Sequence, residues 1–147
     1  MLSARICICI CIGALLGAAL LGSAAAQPTF GVPLSSAQKQ RFLAAVLGTP
    51  QLQIEAELPH KLAPLHAFKP YFSMYELAST AYALVLDSPH DMSRWRALAK
   101  IDGWADGEYA FGYDSARRKA LARNPRLFDA CPEFHRWADK ARHGENI

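Results

Sequence analysis

The chain has 147 residues, of which 52% are hydrophobic, and its formal net charge is +3. A chain of this length is typical of one domain that can bury a hydrophobic core. Its 16 basic and 13 acidic residues are mixed along the sequence, so the small excess does not indicate binding to nucleic acid or to an anionic membrane.

The first 26 residues have the three-part layout of a secretory signal. Arg5 is the only charged residue before Lys39, and an apolar run covers residues 6–21. Small residues then precede Gln27, as at a signal peptidase site. The apolar run, about 16 residues, is shorter than the roughly 20 that a membrane-spanning helix needs. The sequence therefore predicts cleavage after Ala26, export to the periplasm or the extracellular space, and no stable membrane insertion after cleavage.

The remaining chain divides into two parts. Residues 27–34 contain two prolines and a glycine and predict an extended lead-in, whereas residues 35–147 predict a single helical domain. Ser35 lies three residues before Gln38, as in a capping box, so the first helix is expected to begin there. The Gly48-Thr49-Pro50 run predicts its end.

The next segment allows two interpretations. Apolar and polar residues alternate over residues 52–58, which is the period of a half-buried strand. Pro50 is also typical of a helix start, and no other segment of the chain offers a partner strand, so helix is favoured. The prolines at positions 59, 64 and 70 then predict an interrupted connector with at most one short helical turn.

The most apolar segment of the predicted domain runs from Tyr71 to Leu86. A helix that is apolar on most faces is surrounded by other helices, so this segment is the predicted central helix. Ser88 and Pro89 are expected to begin the next helix as its N-cap and first residue. Asp114 is the expected N-cap of another helix, which ends at Asn124-Pro125.

A last helix is predicted to begin at Pro132. Apolar residues follow at positions i, i+3, i+4 and i+7, namely Phe134, Trp137, Ala138 and Ala141. The chain thus contains five to six predicted helices and at most one short strand. The predicted fold class is all-α.

Cys131, His135 and Asp139 are spaced four residues apart and would form one row on this last helix. A helix N-terminus lowers the pKa of a thiol, and a histidine oriented by an aspartate could act as its base. The row therefore predicts, as an alternative function, a small exported hydrolase or thiol enzyme. Cys131 is the one cysteine beyond the predicted signal, so a disulfide-linked homodimer is a second possibility for it.

Aromatic residues crowd between positions 104 and 113, among acidic ones. Such residues either fill the core of a small domain or form an exposed groove for sugar rings or a basic peptide. Tyrosine, tryptophan and arginine also dominate protein interfaces, and a basic cluster follows directly. The candidate binding surface consists of Trp104, Tyr109, Tyr113, Arg117, Arg118 and Arg123.

Residues 102–113 match a calcium-binding loop at three positions, but aromatic and aliphatic residues stand where the loop needs oxygen ligands. The sequence therefore predicts no metal site, and no cofactor. Gly103 and Gly107 are four residues apart, so we expect them to lie on one helical face and to let another helix approach. Asp102 and Asp106 would then share a solvent-facing edge.

The leading functional hypothesis is an exported helical binding protein of the cell envelope. It would act through protein–protein interaction, as an inhibitor, an immunity protein or an assembly adaptor does. Its predicted partner is therefore another protein, and not nucleic acid. Besides the enzyme described above, the remaining alternative is a small-ligand carrier with its pocket between residues 71–86 and the aromatic residues.

Overall fold

The structure, a computed structural model, describes residues 29–69 and 71–147, so the predicted signal lies outside the described residues. Within these ranges helices are the only regular secondary structure, which confirms the all-α prediction, and no helix there is long and apolar enough to cross a membrane. Short 3-10 turns lie in all but one of the connections between the six helices of this part of the chain. These are α1 Ser36–Leu47, α2 Ile54–Leu62, α3 Met74–Asp87, α4 Met92–Trp104, α5 Ala110–Arg123 and α6 Phe134–Arg142.

Capping boxes fix the starts of α1 and α3. Ser35 caps α1 as predicted: its side chain accepts from the Gln38 N–H, and the Gln38 side chain accepts from the Ser35 N–H. Ser73 and Glu76 form the same reciprocal pair before α3. Because Ser73 satisfies an otherwise unpaired helix donor, α3 begins three residues later than the apolar pattern predicts.

The helical interpretation of the segment after Pro50 is confirmed, but the interrupted connector is wrong. Pro59 lies inside α2, and the chain stays helical through the following 3-10 turn, Ala63–Leu65. Three side chains at successive helical turns are fully buried: Ile54, Leu58 and Leu62. Each such burial contributes about 1.5 to 3 kcal/mol, so together they outweigh the roughly 3 kcal/mol cost of an internal proline.

The predicted start of α4 is also wrong. Ser88 ends α3 rather than beginning α4, because its N–H donates to Leu84 O. Asp91 is the N-cap of α4, and its carboxylate accepts from the Ser93 N–H at 3.0 Å. The intervening turn is tied to the core, where the fully buried Trp95 donates its indole N–H to the Pro89 carbonyl at 2.8 Å.

The last two helices begin at other residues than predicted, whereas the end of α5 is confirmed. α5 begins at Ala110 rather than after Asp114, because a 3-10 turn leads directly into it. It ends at Arg123, before the predicted Asn-Pro stop. α6 begins at Phe134, so Pro132 lies in the preceding turn.

The predicted central helix, α3, is largely buried, but α4 packs against more helices. Helix α3 packs against α4 and α5, and α4 packs in turn against α1 and α6. Nine of the 14 residues of α3 are buried, including Ser79 and Thr80. Both hydroxyls donate to Glu76 O, at 3.2 and 2.6 Å. The polar groups of the central helix are therefore buried without the cost of an unmade hydrogen bond.

Gly103 lets α6 approach α4 closely. A Cβ at this position would lie 2.6 Å from the Ala141 Cβ and 2.8 Å from the Ala141 carbonyl carbon. The expectation of a close helical approach is therefore correct for Gly103. It is wrong for Gly107, which lies beyond the end of α4, where a Cβ would meet no atom within 4 Å.

Asp102 is buried rather than solvent-facing, so that expectation is wrong. Arg142 of α6 donates to its carboxylate. Beside it, Tyr82 donates its hydroxyl hydrogen to the Tyr113 oxygen at 3.0 Å. Burial raises the pKa values of Tyr82 and Tyr113 well above the ordinary value of tyrosine. These four side chains join α3, α4, α5 and α6 by polar contacts.

Candidate functional site

An open groove lined by aromatic residues lies beside α2, the start of α3 and the α4–α5 connection. It consists of two adjoining depressions of about 650 and 500 Å³, which share Phe72, Met74 and Tyr109. We call it the aromatic groove. Its aromatic lining residues are Tyr71, Phe72, Tyr75, Trp104, Tyr109 and Phe111.

Helix ends position these aromatic residues. The capping box at Ser73 starts α3 there, which leaves Tyr71 and Phe72 in the chain before the helix. Gly112 allows α5 to pass close to the start of α3, since a Cβ there would lie 3.0 Å from the Tyr75 nitrogen. The groove is therefore built where two helices begin side by side.

Two rings on the rim of the groove are largely exposed. Tyr71 is 94% exposed and Phe111 is 77% exposed, whereas the other four aromatic residues of the groove are half-buried. Scattered exposed apolar side chains are common on proteins, but a contiguous exposed apolar patch marks an interaction site. Tyr71 and Phe111 are not isolated in this sense, because the two depressions that they line adjoin through shared residues.

Glu55 lines one depression of the groove, and both Glu108 and Lys119 line the other. At one end, the Tyr109 hydroxyl donates to Glu55 Oε1 at 3.0 Å, and the Trp104 ring lies 5.1 Å from the Tyr109 ring. This hydrogen bond to Glu55 raises the pKa of the Tyr109 hydroxyl, and the Glu108 carboxylate adds to the effect. At the other end, Lys119 of α5 lines the groove.

Lys119 is already engaged by the groove's own aromatic wall. Its ammonium lies 4.6 Å from the centre of the Tyr75 ring and donates to the Tyr75 hydroxyl oxygen at 2.9 Å. A cation over an aromatic face is attracted by the ring's electrons. The groove therefore contains one cation–aromatic pair of its own, at the end opposite Glu55.

The structure divides the predicted aromatic surface. Trp104 and Tyr109 line the groove, at its acidic end. Tyr113 does not belong to any surface: it is 3% exposed and packs against Tyr82 in the core, so its prediction as a binding residue is wrong. Part of the aromatic cluster thus fills the core and part lines the groove.

The three predicted arginines do not line the groove. The Arg117 guanidinium lies 5.2 Å from the centre of the Phe128 ring, and that of Arg123 lies 4.4 Å from the Phe30 ring. Arg118 is exposed on α5. These arginines are dispersed around the helix and form no joint site with Trp104 and Tyr109.

Sequence reasoning missed Tyr71, Phe72 and Glu55 as site residues. The first two were assigned to the central helix, and Glu55 to the polar side of an ambiguous segment. The Ser73–Glu76 capping box was the available signal, because it places the helix start after both aromatic residues. No local signal brings Glu55 to Tyr109, which lies 54 positions further along the chain.

The structure does not bring Cys131, His135 and Asp139 into a catalytic row. Cys131 lies in the turn before α6 and is 2% exposed, whereas His135 and Asp139 are exposed. Burial raises the pKa of the Cys131 thiol, although the N–H groups of the next residues partly oppose this. The thiol thus lies near the start of α6, as predicted, but the expected lowering of its pKa is wrong. The buried thiol is also not presented on the surface to a second copy.

The described ranges contain no group of three or more histidine, cysteine, aspartate or glutamate side chains that could hold a metal ion. Comparisons with protein-family models, with curated proteins and with solved structures found no match. The function is therefore inferred from the geometry and charge of this chain.

Proposed function

We propose that this protein is a small exported binding protein of the cell envelope that holds a segment of a partner protein in its aromatic groove. The observation that carries the proposal is the exposure of Tyr71 and Phe111 on the rim of a groove whose floor is also aromatic. Tyrosine and tryptophan dominate the energetics of protein interfaces. The leader predicted in residues 1–26 supports the compartment.

The exposed rings are large enough to anchor such a segment. An aromatic side chain buries roughly 150 to 250 Å², which at about 25 cal/mol per Å² amounts to about 4 to 6 kcal/mol for each ring before costs. Association costs about 4 to 15 kcal/mol in lost freedom of motion. Tyr71 and Phe111 together offset a large part of this cost, and contacts with the half-buried floor must supply the remainder.

The proposal is tested by capture from an envelope extract with matched variants. The chain is expressed with its leader and purified from the exported fraction, which tests export as well. The first variant combines Tyr71→Ala with Phe111→Ala. The control is Leu52→Ala, because Leu52 is 94% exposed but lies outside the groove.

We expect a stoichiometric partner that is captured by the wild type and by the Leu52 variant but is lost with the double variant. Because both groove substitutions are at exposed positions, the melting temperature should stay within a few degrees of the wild type. A partner captured equally by all three proteins would contradict the groove as the site. The absence of any captured protein, or failure of the chain to be exported, would contradict the proposed function.

A further inference from the structure

We propose that the acidic end of the aromatic groove, formed by Trp104, Tyr109 and Glu55, receives the guanidinium or ammonium group of an arginine or lysine in the partner segment. The inference rests on the proposed function, since it names the chemistry of the bound segment. The occupant is thus a basic peptide segment with an apolar residue beside the cation.

This end of the groove is negatively charged. The Glu55 carboxylate accepts one hydrogen bond from Tyr109 and is otherwise exposed. Glu108, also exposed, lines the adjoining depression, and its charge acts on the same Tyr109 hydroxyl. Neither carboxylate forms an ion pair within the part of the chain that the structure describes. Two carboxylates near one hydroxyl create a negative potential that a partner cation would neutralise.

The half-buried Trp104 and Tyr109 rings pack against each other beside the Glu55 carboxylate. In the described chain, four rings carry a cation 4.4 to 5.2 Å from their centres. One of them is Tyr75, which pairs with Lys119 in the other depression of this groove. None of these cations lies over Trp104 or Tyr109. Tryptophan is the best ring for this interaction. The acidic end therefore offers a carboxylate and an aromatic ring to a cation that the described chain does not itself supply.

The charges also set the orientation of the bound segment. Lys119 lines the other depression together with Glu108, so their charges offset each other there, whereas Glu55 lines its depression without a lysine or arginine. A basic side chain is therefore directed toward Glu55, and the apolar residue beside it toward Phe111. A sugar ring could also stack on aromatic residues, but a neutral sugar would leave the Glu55 carboxylate uncompensated. The charge distribution thus favours a cationic peptide.

The first experiment selects peptides on the purified full chain from a displayed library of random peptides. Selection is repeated on the double variant at Tyr71 and Phe111, and peptides retained by both proteins are discarded. A groove-dependent peptide is then synthesised in two forms, with arginine and with citrulline, its neutral isostere. Their dissociation constants are measured by calorimetry at low and physiological salt.

Glu55→Gln and Glu108→Gln remove one charge each, and the glutamine at position 55 can still accept from the Tyr109 hydroxyl. Glu57→Gln is the matched control, because Glu57 lies on the same helix but pairs with Lys61 outside the groove. Exposed ion pairs and cation–aromatic contacts are individually weak and screened by salt. We expect citrulline to weaken binding about 5- to 20-fold, and each groove substitution to weaken the arginine peptide about 3-fold.

The outcomes separate the two proposals. Binding of the citrulline peptide should be unaffected by Glu55→Gln, and Glu57→Gln should leave both peptides unaffected. Groove-dependent peptides without a basic residue, or equal affinity for arginine and citrulline forms, would overturn this inference and leave the proposed function standing. If no peptide depends on the groove, or if a neutral oligosaccharide from a glycan array binds there instead, both fail.

Discussion

Replacing Gly103 with alanine tests whether the close contact between α4 and α6 depends on the missing side chain. The new Cβ would lie 2.6 Å from the Ala141 Cβ and 2.8 to 2.9 Å from the backbone atoms of residues 141 and 142. These distances are shorter than any normal contact, and backbone atoms cannot rotate away. The two helices must therefore separate, or one must bend.

The expected effect is a net destabilisation. Alanine improves helix propensity by up to about 1 kcal/mol, whereas overpacking a close-packed contact typically costs about 1 to 3 kcal/mol. Because backbone atoms of α6 are involved, we expect the cost to lie at the upper end. The net free energy of unfolding should fall by about 1 to 3 kcal/mol, which lowers the melting temperature by roughly 4 °C per kcal/mol in a domain of this size.

Urea unfolding followed by circular dichroism measures this difference. Gly112→Ala is the matched control: it gains a similar propensity, but its Cβ would meet its nearest neighbour at 3.0 Å and the next at 3.2 Å. We expect the Gly112 variant to be destabilised less than the Gly103 variant. A Gly103 variant as stable as the wild type, or more stable than expected from the Gly112 control, would refute the close-packing explanation.

Three further predictions concern ionisable groups. Hydrogen bonds from Lys39 and Arg94 lower the pKa of Asp87, so Asp87 stabilises the folded chain above its ordinary pKa near 3.8, and this stabilisation is lost as the pH falls below that value. In urea titrations at different pH values, Asp87→Asn should reduce the loss of unfolding free energy at acid pH by less than about 1 kcal/mol, as for exposed pairs. An unchanged loss would contradict the assignment. Burial raises the pKa of the Cys131 thiol, so a disulfide reagent at pH 7.5 should modify it far more slowly in the folded than in the unfolded chain, and equal rates would argue against burial. Tyr113 ionises only in the unfolded chain near pH 10, so stability should decrease as the pH rises above about 10. Tyr113→Phe should make this alkaline decrease shallower, and an identical slope would rule out Tyr113 as its source.

The amino-acid sequence by itself determined the helical class and several helix ends. Ser35 and Gln38 form their capping box within three residues, and α5 ends at Arg123, directly before the Asn-Pro pair that predicts its end. The stripe of apolar residues in α6 is buried as expected. These features follow from interactions between residues that are close in sequence, so spacing alone reveals them.

Tertiary packing decided the features that local patterns left open or assigned wrongly. Pro59 stays helical because its helix buries a full apolar face, and Asp102 is buried because Arg142 reaches it from another helix. The aromatic groove has the same origin: Glu55 and Tyr109 are distant in sequence, and their hydrogen bond exists only once α2 lies beside the α4–α5 connection. Spacing cannot reveal such contacts, since their free energy arises from burial and charge between helices that only the folded chain brings together.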